Sequence, residues 1–126
     1  MSLTRGKYHE VVVESPPEGW TRGDTKLRVA DPAEIVKVEA WRRGAFAVHE
    51  VLLDEGPYGL ITHAPTGYRI AVCSTMDIAA EVAEAIEPLA DWAAITERSP
   101  EDRQLGRRVM DAVLAIDVEM RLGRIA

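Results

Sequence analysis

Between residues 45 and 73 apolar and polar positions alternate in three runs, AFAVHEVLL, YGLITH and YRIAVC, separated by DEGP and APTG. Alternation with a period of two marks strands, and breaks rich in Gly, Pro, Asp and Thr mark turns. The segment therefore predicts a three-stranded antiparallel meander. A first turn pairing Leu53 with Gly59 would set His49 opposite His63 and Val51 opposite Ile61; a second pairing His63 with Tyr68 would set Ile61 against Ile70. Side chains alternate between faces. One face then carries Ala47, His49, Val51, Ile61, His63, Tyr68, Ile70 and Val72. The other carries Phe46, Val48, Glu50, Leu52, Leu60, Thr62, Arg69, Ala71 and Cys73, with Glu50, Thr62 and Arg69 side by side as a cross-strand row. The face with Val51, Ile61, Ile70 and Val72 is expected to receive the helices.

Upstream, the β-branched run in residues 7–14 predicts a strand that ends at Ser15-Pro16-Pro17. Residues 15–25 read as an ordered loop with Trp20 tucked onto the body, and residues 26–30 as a short edge strand. Two patterns compete over residues 31–43: Asp31-Pro32-Ala33-Glu34 is a good helix opening, whereas Val36, Val38 and Ala40 alternate with charged positions. Strand over 35–42 is the better reading, with room for one helical turn before it.

Downstream, Ser74 to Asp77 has capping-box spacing, and Ile78, Val82, Ala85, Ile86 and Leu89 recur at helical intervals; the helix spans 75–95 with a break or kink at Pro88. Ser99-Pro100-Glu101-Asp102 opens a last helix over 100–122 that stops at Gly123. The fold class is α+β: an antiparallel meander sheet of four to five strands followed by two C-terminal helices packed on one face, in a single domain over 1–126.

The last helix carries two apolar stripes. Leu105, Val109, Ala112, Val113, Ile116 and Met120 share one side, and Met110, Leu114, Val118 and Leu122 lie on roughly the opposite side. One stripe covers the sheet. The second either packs on the N-terminal loop and Trp20 or meets a partner, because a contiguous exposed apolar strip is rare on a soluble monomer. A two-fold homodimer through Met110, Leu114, Val118 and Leu122 is the simplest expectation.

Charge and composition narrow the function. Twelve arginines against three lysines, with abundant Ala and Val, suggest a GC-rich bacterial genome. Residues 1–75 hold 9 Lys or Arg against 10 Asp or Glu, and residues 76–126 hold 6 against 11, so the acidity sits in the C-terminal half. That balance argues against a nucleic-acid partner, since phosphate contacts need clustered cations. Asp77, Glu81, Glu84, Glu87 and Asp91 form an acidic band, read as a solvated face that a basic protein partner could also use; Arg103, Arg107 and Arg108 form a counterpart, with Arg107 placed to pair with Asp111. One cysteine, Cys73, precludes an internal disulfide and fits a reducing cytoplasm, and no run of about 18 apolar residues suggests a membrane span.

Candidate chemistry is sparse. His49, His63 and Tyr68 form the one row of ligand-type groups, and two imidazoles on adjacent strands could share a metal ion. A structural site wants four ligands, and that face offers no further Asp, Glu or Cys. Partly buried structural histidines are therefore the stronger reading. Cys73 lacks a His-plus-carboxylate arrangement, and no phosphate loop, nucleophile elbow, zinc-protease pair or dinucleotide fingerprint is present. No cofactor is expected. The meander resembles small proteins encoded in bacterial phage and prophage regions; the resemblance is confined to that part of the chain and rests on no diagnostic motif. It implies an accessory protein binding nucleic acid or a nucleic-acid-binding partner. The leading expectation is a cytosolic interaction or assembly module that is not an enzyme, and the alternative is a small metal-assisted hydrolase using His49 and His63.

Overall fold

A computed structural model describes residues 15–30, 33–53, 56–95 and 103–122. It is an α+β fold. Five antiparallel strands, β1 (Thr21–Ala30), β2 (Ala33–Arg43), β3 (Phe46–Leu53), β4 (Gly56–His63) and β5 (Arg69–Cys73), lie side by side in chain order. Helices α1 (Met76–Ile86), α2 (Arg103–Ile116) and α3 (Val118–Arg121) follow, with 3-10 turns at Glu87–Leu89 and Trp92–Ala94. Among the described residues no helix is long and apolar enough to cross a membrane. The strand expected over 7–14 and the helix start expected at 99–102 lie outside the described residues.

The strands follow the alternation, with three corrections. β1 begins at Thr21, so half of the expected 15–25 loop is strand; Trp20, just before it, is buried as expected. β2 begins at Ala33, its partner Ala30 closing the hairpin, so the helical turn allowed for at Ala33-Glu34 does not form. There strand alternation outweighs a local capping signal, because the hairpin with β1 satisfies the backbone. The third correction is register. β3 and β4 pair Leu53 with Gly56 and Val48 with Ile61, not Leu53 with Gly59. The turn is thus two residues long instead of five, and Gly56-Pro57 belongs to the strand. Pro57 is tolerated because β5 pairs with β4 only from Gly59 onward, which leaves that end of β4 at a sheet margin.

A displacement of three positions is odd, so it turns every β4 side chain to the opposite face relative to β3. The second turn starts as expected, with the His63 N–H donating to the Tyr68 carbonyl at 2.8 Å and Thr62 beside Arg69. A bulge then moves the pairing by one, so Ile61 meets Ala71 and Gly59 meets Cys73. The helix-facing side therefore holds Phe46, Val48, Ile61 and Cys73, joined by Trp41. Val72 faces the other way. The expected Glu50–Thr62–Arg69 row is not made: Glu50 pairs with Gly59, and Thr62 faces Ala47 and Arg69.

Both faces of the sheet are covered. On one, α1 presents Ala79, Ala80, Val82, Ala83 and Ile86, and α2 adds Val109 and Val113. The small alanines let α1 come close. A Cβ built on Gly59 would overlap the Thr75 carbonyl and lie 2.8 Å from the Met76 amide nitrogen. Trp92 completes this layer with its ring 5.1 Å from Phe46, inclined by 58°, while its indole N–H donates to the Ile86 carbonyl at 3.0 Å. On the opposite face, β2 pairs with β3 only over Trp41–Arg43, and the rest of the β1–β2 hairpin leaves the sheet as an arm. Leu27 of that arm packs on Tyr58 and Leu60 of β4 and on Val72, which are not its neighbours in strand order, so the arm folds over the sheet. Its inner side, with Thr25, Leu27, Val38 and Ala40, is buried, and its outer side carries a Lys37–Asp24 ion pair at 3.3 Å. Gly44, with φ of +53°, supplies the left-handed turn between β2 and β3 that side-chain-bearing residues adopt at a cost.

The helices also differ from expectation in extent. α1 is capped by Thr75, not by Ser74 as the capping-box spacing implied: the Thr75 hydroxyl accepts from the Ile78 N–H at 3.1 Å, and the helix ends at Ile86, next to the break expected at Pro88, instead of reaching 95. Pro88 falls in the first of the two 3-10 turns, as its missing N–H requires. The expected single helix over 100–122 is broken at Asp117, where the backbone turns extended (φ −91°, ψ 96°) before α3 begins.

Candidate functional site

The register separates the three residues expected to form a row. His49 lies on the arm side of the sheet and His63 on the helix side, while Tyr68 sits half-buried in the turn after β4. His49 Nδ1 faces the Glu50 carbonyl at 3.4 Å and so carries the proton; Nε2 then accepts from the Thr62 hydroxyl at 3.0 Å. His63 has the opposite tautomer. Its Nε2–H donates to the Trp92 carbonyl at 2.7 Å, and its Nδ1 accepts from the Thr66 hydroxyl at 2.8 Å. Thr66 in turn accepts from the Tyr68 N–H at 3.3 Å. Both rings are buried and each nitrogen is engaged by an uncharged group, so neither presents a free lone pair to a metal or substrate. Among the described residues no three His, Cys, Asp or Glu side chains are grouped to hold an ion. The shared metal site that a hydrolase would need is thus not assembled from His49 and His63.

What these histidines do is structural. His63 ties the β4–β5 turn to the 3-10 turn that carries Trp92. His49 and Thr62 are a polar pair inside the sheet–arm core. Burial pushes the His49 pKa down to about 4, with the bond to the Glu50 carbonyl offsetting only part of that. Because the folded-state pKa lies below the usual 6.5, the unfolded chain takes up a proton first as pH falls. The stability contributed by neutral His49 is therefore complete above pH 6.5 and is lost as pH drops from there through 4. Between pH 7 and pH 5 this amounts to about 2 kcal/mol. Urea denaturation of wild type and His49→Gln at both pH values measures it: the wild-type loss should exceed the variant's by that amount, and equal losses would refute the assignment.

Cys73 is fully buried, and burial followed by the negative charge of Asp117 pushes its thiol up to about 12. A thiol held that far from ionisation is no nucleophile. The acidic band is partly consumed by the fold. Arg43 donates to both oxygens of Glu87 at 3.1 and 3.2 Å, and Glu84 accepts the Trp20 indole N–H at 3.2 Å. Asp77 and Glu81 remain exposed, with no ion-pair partner among the described residues; the same holds for Arg103, Arg107 and Arg108, so the expected Arg107–Asp111 pair is not made.

The two stripes of the last helix are placed very differently. Val109 and Val113 are buried, and Leu105, Ala112, Ile116 and Met120 pack around them. Met110, Leu114, Val118 and Leu122 are 51%, 38%, 46% and 56% exposed. Trp20 packs in the helix–sheet core with its indole on Glu84, so it does not cover that second stripe.

A residue that sequence reasoning missed is Asp117. It is fully buried and accepts three bonds: from the Ser74 N–H (2.7 Å), the Ser74 hydroxyl (2.8 Å) and the Met120 N–H (3.3 Å). It thereby joins the β5–α1 connection to the break between α2 and α3. An acid breaking into an otherwise apolar side of a helix was the available signal. No family model, curated protein or solved structure matches the chain.

Proposed function

We propose that the protein is a non-enzymatic interaction module that self-associates through the outward side of its last helices. The observation carrying this reading is the exposure of Met110 and Leu114 on the side of α2 opposite the stripe that covers the sheet, and of Val118 and Leu122 just past the break at Asp117. Single exposed apolar residues need no explanation, but two one turn apart on α2 with two more just past the break at Asp117 are costly in water and are the usual mark of an interface. The groups that could have carried chemistry support the same reading, since His49, His63 and Cys73 are buried and committed to packing or to neutral hydrogen bonds. A second copy is the occupant proposed, because one self-complementary strip generates a closed two-fold pair without a further partner.

Sedimentation equilibrium at micromolar concentration tests the proposal. Wild type is expected to run as a dimer, and Leu114→Glu, at an exposed position that the fold does not need, as a folded monomer weakened at least a hundredfold in association. A wild-type monomer, or a dimer indifferent to Leu114→Glu, would remove it.

A further inference from the structure

We propose that two copies pair through the outward sides of α1 and α2 about a two-fold axis, with the acidic end of each helix layer lying on the basic end of the other. This rests on the self-association reading above and adds the arrangement and the residues that set it. The buried positions of α1 place Asp77 and Glu81 on its outer side, and those of α2 place Arg103 and Arg107 on the same side as Met110 and Leu114. All four charged residues are exposed, and none has an ion-pair partner among the described residues.

The two helices are in contact, and α2 ends where α1 begins, the Asp117 carboxylate accepting from Ser74. Their ends are therefore reversed. Asp77 and Glu81, in the first turns of α1, share an end of the layer with the C-terminus of α2, while Arg103 and Arg107 lie at the other end. With a rise of 1.5 Å per residue, Arg103 is roughly 16 Å along the axis from Leu114. By the same count Arg107 lies only about 6 Å along the axis from Glu81, yet no ion pair joins the two clusters among the described residues.

A second copy can do what the single chain cannot. A two-fold axis midway between the clusters, at right angles to the line joining them, sets Asp77 and Glu81 of each copy against Arg103 and Arg107 of the other. Both contacts form at once, with the Met110–Leu114 strip near the axis. An axis along the joining line would stack acid on acid and base on base. The charges thus select one of the orientations that the apolar strip alone permits, which is the usual division of labour between apolar burial and charge.

Charge reversal tests this by sedimentation and light scattering, with circular dichroism to show that each variant is folded. Arg103→Glu/Arg107→Glu and Asp77→Arg/Glu81→Arg should each lose at least tenfold in self-association. An equimolar mixture of the two should form a one-to-one heterodimer, weakened by salt. Glu81→Arg alone serves if the change at Asp77 disturbs the start of α1. If wild type dimerises and Leu114→Glu abolishes this while both reversals leave it intact, self-association stands and the arrangement is overturned. If the reversed variants do not pair on mixing, the arrangement is likewise overturned. A monomeric wild type overturns both.

Discussion

Gly59→Ala is expected to cost the protein about 3 kcal/mol, a loss at the upper end for overpacking in a core. For a chain of this size that corresponds to a fall in Tm of roughly 10 °C. The effect arises from a backbone contact. Gly59 lies in β4 between Glu50 and Cys73, and its Cβ would point at the start of α1, into the Thr75 carbonyl and the Met76 amide. A long side chain there could swing aside, but Thr75 is the cap of α1 and its carbonyl accepts from the Ala79 N–H at 3.0 Å. Moving it means moving the helix off Phe46, Val48 and Ile61. A thermal melt within about 2 °C of wild type would show that the helix tolerates the shift.

Asp117→Ala should destabilise by a similar amount, about 3 kcal/mol, for a different reason. The substitution removes no large volume. It strips the acceptor from the Ser74 N–H and hydroxyl and from the Met120 N–H, in a place where the carboxylate is wholly buried. Asp117→Asn keeps the shape but replaces one accepting oxygen with a donating NH2 group, and all three neighbours are themselves donors. It should therefore recover only part of the loss. Urea denaturation of the two variants orders them: Ala and Asn both indistinguishable from wild type would mean that water replaces the carboxylate at no cost.

These two positions also show where local reading reached its end. The meander, the approximate start of α1, the effect of Pro88 and the two apolar sides of α2 are carried by short-range patterns, and such patterns report backbone periodicity directly. The β3–β4 register is different. Register is strongly specified when one face of a sheet is polar, and here neither is: the helices cover one face and the β1–β2 arm the other. Ala47 and His49 are as buried as Phe46 and Val48, so parity could not be read from polarity, and Gly56-Pro57 looked like a turn. The histidine row depended on that parity and dissolved with it. Asp117 was legible only in part: its bond from Met120 is local, but its partner Ser74 lies 43 positions away and only chain folding brings them together.

The sequence by itself determined the three strands of the meander, the strand character of residues 35–42, the approximate start of α1 and the outward placement of Met110 and Leu114, because each follows from the spacing of residues within a few turns. Tertiary structure decided which side of the sheet each histidine faces, how near α1 lies to Gly59, where the last helix breaks and which acids remain unpaired. Those depend on contacts between segments far apart in the chain, whose energies no local pattern encodes.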